Sequence, residues 1–439
     1  MPSLELSMIV KDGASTLARC LQSVRSVVDE IVIADTGSSD MTREIALSFG
    51  ARIISVAWED DFSKARNAAL RAGRCDWVLY IDHDELLDSA ANQTIPSLLK
   101  AVDIAGYEIR IWNYVRTLAT RMLNRPAYPN PQRIDEARAF PGFVEQVNVR
   151  LFRRNPQICF EGRVHEGVAD GMKALGMKIA FGDFVVHHLG IAEEEAEAYN
   201  RKMSYYLELG RKKLFDSPDD VRSHYELGLA ELEHFRNPGR ALPCFARAIE
   251  LRPGSNLLWT YAGICLVRLG KLKQGLEALE KAERLGAKDA VHLEAMGDAH
   301  YHGENFARAR ECYEGAKSAG SRSSVLESKL GVCEVREGST ESGLQRIKDA
   351  IQSEPNLGEL YDILMAAALV AGDRALAAQT ADHRLEVGSP SADSFLLTAG
   401  IWMQLGEWHR AAQVVRSGLE RFPGHAKLHA VVAEIKCRL

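Results

Sequence analysis

The sequence lacks closely spaced cysteines, long apolar runs and an excess of positive charge. Its eight cysteines are scattered, without a CxxC pair, so we expect small buried thiols in a reducing compartment. No apolar stretch reaches the roughly 18 residues that a membrane span needs, and no cationic, apolar leader precedes the first predicted strand. Together these absences predict a cytoplasmic protein.

The overall charge disfavours one class of partner. A formal net charge of −6 argues against nucleic acid as the main partner, because phosphate backbones are bound by basic faces. Hydrophobic residues make up 46% and charged residues 26% of the chain, as is usual for folded globular proteins. A length of 439 residues is too great for one ordinary core and predicts two or three domains.

Short apolar runs alternate with amphipathic segments over roughly the first 80 residues. Strands are predicted at residues 4–10, 30–34, 52–56 and 77–81, with helices between them at 14–27, 41–49 and 63–72. This order predicts an α/β domain with a Rossmann-like, mostly parallel, doubly wound sheet. Ligands of such sheets bind beyond the carboxyl ends of the strands, so functional residues are expected there.

The segment from 105 to 190 loses this alternation. Prolines punctuate residues 123–143, which are predicted to form a long loop near the site. Strand-like stretches follow at 148–153, 160–168 and 184–188, and from residue 192 the composition becomes helical and acidic. We therefore predict a first domain at residues 1–191, a helical linker at 192–220 and a repeat domain at 221–439.

Residues 221–439 repeat with a period of 34 or 35 residues. In each unit a small or adaptable residue recurs, and a second small residue follows about twelve residues later. The first set is Gly228, Gly263, Gly297, Gly331, Met365 and Gly400, and the second is Ala241, Gly275, Ala309, Gly343, Ala377 and Ala412. Small residues let paired helices cross closely, and the pattern resembles the tetratricopeptide repeat, an all-α solenoid. The alternative, a generic helical bundle, would not keep this phase along the chain.

The segment WVLYIDHDEL at 77–86 carries the clearest chemical signal. A predicted buried strand ends at Asp82, and Asp84 follows after one residue. Two carboxylates at this spacing can both face a hard divalent cation such as Mn²⁺ or Mg²⁺, which would bridge to a substrate diphosphate. The alternative is an ordinary acidic turn after a strand.

Two further segments give this motif a context. IADTGSSD at 33–40 is a strand that runs into an acidic turn, and DDFSKARN at 60–67 precedes a predicted helix. In this order, the three segments resemble the family 2 glycosyltransferases with the GT-A fold, and the resemblance covers roughly residues 3–190. It is closest to a branch with MIVKNE in its first loop, where this chain has MIVKDG. Asp12 and Gly13 thus depart from the family pattern.

The resemblance implies a set of nucleotide-sugar-binding residues. Asp35 would accept a hydrogen bond from the base, Arg66 would lie by the base or the diphosphate, and Asp84 would bind the metal directly. The full set is Val10, Lys11, Asp35, Arg66, Asp82, His83 and Asp84. From the residues alone, Asp35 could instead cap the following helix, and Arg66 could be a solvated helix charge.

Two later motifs complete the predicted site. FEGRVHE at 160–166 resembles the family's FxGxVHE segment, and an inverting transfer needs a base to deprotonate the acceptor. Glu166 is the preferred base, with His165 orienting it, and Glu161 is the second candidate. His188 fills the His of the family's HxG motif and is the second predicted metal ligand, because imidazole suits Mn²⁺. A buried histidine that is satisfied by hydrogen bonds is the alternative.

These features predict an inverting, metal-dependent transferase that uses a nucleotide sugar. By resemblance the donor is a UDP-sugar. Because helical repeats bind peptides, we expect a peptide or protein acceptor, and the architecture is similar to the S-glycosyltransferases that modify bacteriocin peptides. The alternatives are a cell-surface glycan or lipid-linked acceptor, a non-catalytic scaffold with a degenerate transferase domain, and a repeat domain that serves homo-oligomerisation.

Overall fold

A computed structural model describes residues 2–116, 121–122, 125–193, 196–387, 390–436 and 438. The chain forms two compact units, residues 1–253 and residues 254–439. The first unit therefore contains the whole predicted transferase domain, the predicted linker and the first predicted helical pair of the repeats. The predicted domain boundaries at residues 191 and 220 remain a prediction, since the division between the units falls at neither of them.

The first unit is built on a large mixed sheet. Its strands are β1 (Leu4–Val10), β2 (Glu30–Asp35), β3 (Arg52–Ser55), β4 (Trp77–Tyr80), β5 (Glu85–Leu87), β6 (Gly106–Val115), β7 (Arg121–Met122), β8 (Arg125–Pro129), β9 (Gly142–Arg153) and β10 (Ile179–His188). The strand order is β3-β2-β1-β4-β9-β6-β10-β5, with β8 also paired to β9 and β7 paired to β8. Every residue of β1 is buried, as expected for a strand covered on both faces.

The prediction of a mostly parallel sheet holds for its N-terminal part. Strands β3, β2, β1 and β4 are parallel neighbours, and β10 runs parallel to β6. Strand β9, however, lies antiparallel between β4 and β6, and β5 is antiparallel to β10. Because β4 and β6 both oppose β9, they run in the same direction, so the carboxyl ends of β1, β2, β4, β6 and β10 lie along one edge of the sheet.

Helices cover both faces of this sheet. They are α1 (Leu17–Val24), α2 (Thr42–Ser48), α3 (Phe62–Ala72), α4 (Ser89–Leu98), α5 (Ala169–Ala174) and α6 (Gly190–Glu193). One apolar cluster joins the sheet to α1, α2 and α4, and two others join it to α3 and α5. The doubly wound prediction is thus confirmed, and each helix boundary of α1 to α3 lies within three residues of the predicted one.

The middle of the domain differs from its prediction. The proposed loop at 123–143 contains β8 and a short 3₁₀ turn, Asp135–Ala137; residues 123 and 124 lie outside the described residues. The strand predicted at 160–168 is a loop whose ends are bridged by Glu161 and Gly167. The prolines of this segment therefore do not exclude a strand: β8, which ends at Pro129, pairs with both β7 and β9.

Three further helices complete the first unit: α7 (Ala196–Asp216), α8 (Val221–Leu229) and α9 (Pro238–Leu251). A π-helical turn, Ala230–His234, lies between α8 and α9. In the part of the chain that the structure describes, no helix is both long and apolar enough to cross a bilayer.

The cysteine prediction is only partly confirmed. Cys20, Cys75, Cys265 and Cys333 are buried, whereas Cys244 and Cys312 are half-buried and Cys159 is exposed. Cys437 lies outside the described residues.

The second unit is helical throughout its described residues. Its helices are α10 (Asn256–Arg268), α11 (Leu272–Arg284), α12 (Ala290–His302), α13 (Phe306–Ser318), α14 (Ser324–Arg336), α15 (Thr340–Ser353), α16 (Gly358–Val370), α17 (Arg374–Arg384), α18 (Ala392–Gln404), α19 (Trp408–Arg421) and α20 (Ala426–Lys436). Successive helices from α10 to α19 pack in pairs. The repeat prediction is therefore confirmed as a series of helical pairs.

The small residues lie where the two helices of a pair cross. A Cβ added to Gly331 would lie 2.6 Å from the carbonyl oxygen of Gly343, and a Cβ added to Gly343 would lie 2.3 Å from the carbonyl oxygen of Gly331. The two backbones are thus in direct contact. Gly228 precedes the π-helical turn, which accommodates one extra residue and explains the first 35-residue spacing.

The last predicted unit is displaced by one residue. Ala399 and Ala411 are fully buried, whereas a Cβ added to Gly400 would meet nothing within 4 Å. The crossing residues of this pair are therefore Ala399 and Ala411, which keep the 34-residue period from Met365 and Ala377. The assignment of Gly400 and Ala412 to the crossing was wrong. Each has an equally small neighbour, Ala399 or Ala411, so the sequence pattern allows two phases that differ by one residue.

We expect Gly331→Ala to destabilise the protein by about 1–3 kcal/mol, because the new methyl group overpacks a backbone contact. Gly400→Ala is the matched control: the space is open, and alanine favours a helix over glycine by up to about 1 kcal/mol. Chemical denaturation of the full chain, followed by circular dichroism, measures both. Equal denaturation midpoints for the two variants would contradict the crossing geometry.

Candidate active site

Asp12 and Gly13, the two residues of the first loop that depart from the family pattern, contact the loop that follows β2. The Asp12 amide donates to the Ser38 hydroxyl (3.0 Å), and the Asp12 carboxylate accepts from the Ser39 amide (2.7 Å). The Gly13 amide donates to the Thr42 hydroxyl (2.8 Å). Asp12 has a φ of 49°, a conformation that aspartate tolerates better than most residues. The DG pair thus fixes the loop after β1 against the turn after β2.

Asp35 lies at the end of β2, and its side chain is buried. Its carboxylate accepts from the Ser38 amide (3.1 Å) and pairs with the Arg43 guanidinium (2.7 Å). Burial alone would raise the pKa of Asp35, but Ser38 and Arg43 outweigh it and lower that pKa. Asp35 does not cap α2, so that alternative is excluded. Val10 is buried beside this loop, and Lys11 is exposed.

Arg66 is the centre of a buried charge cluster. Its guanidinium bonds to Asp82 (2.8 Å) and to Glu166, and it lies 5.1 Å from the centre of the Tyr80 ring and 5.7 Å from that of Phe160. Only 6% of Arg66 is exposed, so it is not a solvated helix charge. Burial disfavours the cation, yet the two carboxylates raise the pKa of Arg66. The sequence did not indicate that Glu166 would join this cluster.

The residues of the DHD motif point in different directions. The Asp82 carboxylate faces Arg66, and the Asp82 amide donates to Glu85 (2.8 Å), whose carboxylate pairs with the buried Arg150 (2.7 Å). His83 bonds through Nδ1 to the hydroxyl of Thr16 (2.7 Å). The two aspartates therefore do not share one partner in this structure.

Asp84 and His188 come together at the ends of β4 and β10. His188 Nε2 lies 3.3 Å from Asp84 Oδ2, and His188 Nδ1 donates to Asn113 Oδ1 at 2.8 Å. A Cβ added to Gly190 would lie 1.9 Å from Asp84 Oδ2, so only glycine leaves room for that carboxylate. A carboxylate oxygen and an imidazole nitrogen side by side are both potential ligands of a divalent metal ion, and a third group that orients the imidazole is typical of metal-binding histidines.

The same contact shifts both pKa values. Burial alone would raise the pKa of Asp84, but the adjacent His188 imidazole outweighs it and lowers that pKa. Burial would likewise lower the pKa of His188, and the Asp84 carboxylate raises it instead. His187 points away, towards Tyr114 (2.9 Å) and Asp88 (3.7 Å), as the alternation of side chains along a strand requires.

A second group of potential metal ligands lies at the opposite edge of the sheet. Among the described residues, Glu5, Glu30 and Cys75 each offer one ligand atom, and these atoms lie within 4.8 Å of one another. Arg154 and Arg52 pair with its carboxylates, so it is balanced by cations of the chain. Asp84 and His188 offer two potential ligand atoms, so a cation bound between them would need further ligands from outside the chain.

The loop at 160–168 carries both predicted bases. Asn67 clamps it, since its amide group donates to the Phe160 carbonyl (2.9 Å) and accepts from the Phe160 amide (2.8 Å). Glu166 thereby reaches Arg66, whereas Glu161 and His165 are exposed. His165 has a φ of 55°, which turns the chain between them. The structure therefore brings Glu166, and not Glu161, into the buried cluster.

Sequence reasoning missed three polar residues of the site: Asn67, Asn113 and Arg150. Asn67 follows Arg66 directly in the recognised helix motif, so its position was a usable signal. Asn113 lies beside His188 only through the pairing of β6 with β10, and Arg150 reaches Glu85 from β9. No local pattern identifies either residue.

We expect Asn113→Ala to weaken Mn²⁺ binding by about 10- to 100-fold, the usual effect of removing a group that orients a metal-bound imidazole. Asn113→Asp is the matched control, because its carboxylate can still accept from His188 Nδ1–H. Titration of the purified protein with Mn²⁺, followed by electron paramagnetic resonance, measures the affinity. Unchanged affinity in the alanine variant would remove Asn113 from the site.

Known proteins are similar in sequence to parts of this chain. Residues 7–156 match the model of Glycosyl transferase family 2. A TPR repeat-containing protein of Synechococcus elongatus is 33% identical over 245 residues, which cover 52% of this chain and 52% of that protein. The prophage-derived glycosyltransferase SunS of Bacillus subtilis is 24% identical, over 38% of this chain and 34% of its own.

A third relative has a different biological setting. The lipopolysaccharide core biosynthesis glycosyltransferase LpsC of Rhizobium meliloti is 29% identical, over 38% of this chain and 58% of its own. The matched part of this chain covers 52%, 34% and 58% of the lengths of these three relatives, in each case less than two thirds. Together with the fold, the matches show that this chain carries an N-terminal family 2 glycosyltransferase domain followed by tetratricopeptide repeats.

Proposed function

We propose that this protein transfers a sugar from a nucleotide-sugar donor, with inversion and with the help of a divalent metal. The observation that carries the proposal is the convergence of Asp84 with His188, beside the cluster of Arg66, Asp82 and Glu166, at the carboxyl edge of the sheet. The family match to residues 7–156 supports sugar transfer as the reaction class.

The donor would bind across the edge formed by β1, β2 and β4. Asp35 would accept from the imide of a uracil base, with Val10 and Lys11 lining the nucleotide. Asp82 and His83 would lie by the ribose and the diphosphate. Asp84 and His188 would hold Mn²⁺ or Mg²⁺, which when bound neutralises charge on the departing diphosphate. The fixed cation Arg66 contributes to the same positive field without reorganisation.

The acceptor would be deprotonated on the face of the sugar opposite the diphosphate. As the acceptor atom bonds to the anomeric carbon, the bond from that carbon to the diphosphate oxygen breaks, and the acceptor proton passes to a carboxylate. We assign this role to Glu166, whose carboxylate is held in place by Arg66. Glu161 remains the second candidate, with His165 nearby, because the exposed loop that carries them faces solvent.

We propose a peptide or protein as the acceptor, presented by the helical repeats. Stacked helical pairs expose an extended surface suited to such chains. The named role of LpsC in lipopolysaccharide core biosynthesis favours a glycan or lipid-linked acceptor as the second candidate. Mass spectrometry of each class of acceptor, after incubation with donor and enzyme, distinguishes the two.

The first test is a thermal-shift panel of nucleotide sugars with Mn²⁺, followed by assay of nucleoside diphosphate release. Catalysis predicts that the stabilising donor is also consumed. A donor that stabilises the protein but is never consumed, with any acceptor class, would show a binding scaffold and refute the transferase proposal.

A further inference from the structure

Helix α7, predicted as a linker, contacts the transferase domain through a compact polar cluster. Lys212 Nζ lies 2.6 Å from Asp60 Oδ2, and the Tyr205 hydroxyl donates to Asp60 Oδ1 at 2.6 Å. The indole N–H of Trp58 lies 3.1 Å from the same carboxylate and 2.6 Å from the Tyr205 oxygen. We call these four residues the Asp60 cluster.

Asp60 lies in a strained part of the chain just before α3. Its φ of 56° is in the left-handed region, which costs free energy for a residue other than glycine and persists only where the surroundings enforce it. The next residue, Asp61, caps α3 by accepting from the Lys64 amide (3.2 Å). Arg66 follows within the next turn. The two α7 side chains thus fix the start of the helix that carries Arg66.

The same helix also contacts the loop that carries Glu166. Lys213 Nζ donates to the Val164 carbonyl (3.5 Å) and pairs with Glu226 of α8 (3.2 Å). Arg163 pairs with Asp216 at the end of α7. Lys213 and Glu226 are both largely buried, so this is not a loose surface pair.

The segment before α3 and the loop at 160–168 also contact each other, next to α7. The Phe62 amide donates to the Arg163 carbonyl at 2.9 Å, and the Phe62 ring packs edge-on against Tyr206 of α7, with ring centres 5.7 Å apart. Helix α7 therefore contacts both elements whose side chains meet in the Arg66–Glu166 ion pair.

We infer that α7 is a positioning element of the transferase site, in which Lys212 and Tyr205 act through Asp60, and Lys213 through Val164, to hold Arg66 between Asp82 and Glu166. The inference rests on the proposed function. None of the three α7 side chains is placed on donor or acceptor. A displacement of about 1 Å in such a site can cost on the order of 100-fold in rate, so the polar contacts have a kinetic consequence beyond packing.

The test compares the double variant Lys212→Met with Tyr205→Phe against the wild type, all in the full chain. We expect kcat for the sugar transfer to fall about 10- to 100-fold. KM for the donor and the affinity for Mn²⁺ should stay within about twofold, because none of the described contacts joins Lys212 or Tyr205 to Asp84, His188 or Asp35. Rates are normalised to the number of Mn²⁺ sites, so that unfolded protein does not count.

Two variants separate positioning from simple packing. Lys212→Arg keeps the cation and is expected to retain kcat within about threefold of the wild type, given a charge-assisted bond to Asp60. Arg201→Gln removes an exposed cation of the same helix, which pairs only loosely with Glu197 at 3.8 Å, and is expected to change nothing. If the double variant loses Mn²⁺ sites, Tyr205→Phe alone, which removes one hydroxyl, decides by the same kinetic criterion.

Hydrogen exchange provides a readout that does not depend on turnover. The amides of Phe62 and Gly167 are expected to exchange faster in the double variant than in the wild type. Faster exchange in a protein that transfers no sugar under any condition refutes the proposed function but leaves the positioning role of α7 intact. Unchanged kcat, or unchanged exchange at both amides, overturns the inference about α7.

Discussion

Asp84→Asn is expected to lower sugar turnover by about a thousandfold and to abolish its stimulation by Mn²⁺. The amide has nearly the shape of the carboxylate but no charge, so it leaves His188 as the main ligand for the cation. Loss of one electrostatic stabiliser of a leaving group typically costs on the order of 10²–10³ in kcat. Donor turnover, measured with and without Mn²⁺ at saturating donor, gives the effect directly.

Asp183→Asn is the matched control for this change. Asp183 lies on β10, the strand that carries His188, but its side chain is 83% exposed and pairs with Arg110. We expect this variant to keep wild-type turnover and Mn²⁺ dependence. Equal turnover by Asp84→Asn and the wild type would refute the metal assignment, whatever the control shows.

Arg66→Met is expected to destabilise the protein by about 3–5 kcal/mol. The change leaves Asp82 and Glu166 without their buried cation, and breaking a buried ion pair from one side costs this much because a charge remains uncompensated. It also removes the two contacts with the aromatic rings of Tyr80 and Phe160. Urea denaturation followed by circular dichroism measures the loss.

A double variant tests the proposed cause. In the double variant Arg66→Met with Asp82→Asn, the unpaired negative charge of Asp82 is also removed. We therefore expect the double variant to be more stable than Arg66→Met alone. Arg308→Met is the control, since Arg308 and Glu311 form an exposed pair on α13, and such pairs contribute about 0–1 kcal/mol. Similar losses for Arg66→Met and Arg308→Met would show that the buried cluster contributes little.

Local sequence patterns were sufficient for much of this fold. The alternation of strands and helices up to residue 81 and the 34-residue period both follow from which residues are buried, and burial in these elements repeats at short range. The same holds for Asp84, which lies in the short turn after the buried strand β4, and for Arg66, which lies one turn inside a helix with a recognisable start.

The remaining features depend on pairing between distant segments. Strand β9 lies between β4 and β6 and turns a parallel sheet into a mixed one, and nothing near residue 142 encodes that partner. Asn113 reaches His188 from 75 positions away, and Glu166 reaches Arg66 from 100 positions away. The one-residue displacement at Gly400 has another cause, because adjacent small residues give a pattern with two possible phases.

Direct contact between the main chains at Gly331 and Gly343 separates the spacing of this helical pair from the chemistry of its outer surface. Within this pair, the distance between α14 and α15 is set at two positions that carry no side chain. Every outward-facing residue is thus free to change its charge or shape without altering that distance. A region built in this way can acquire a new binding preference one surface residue at a time, on a framework whose dimensions stay constant.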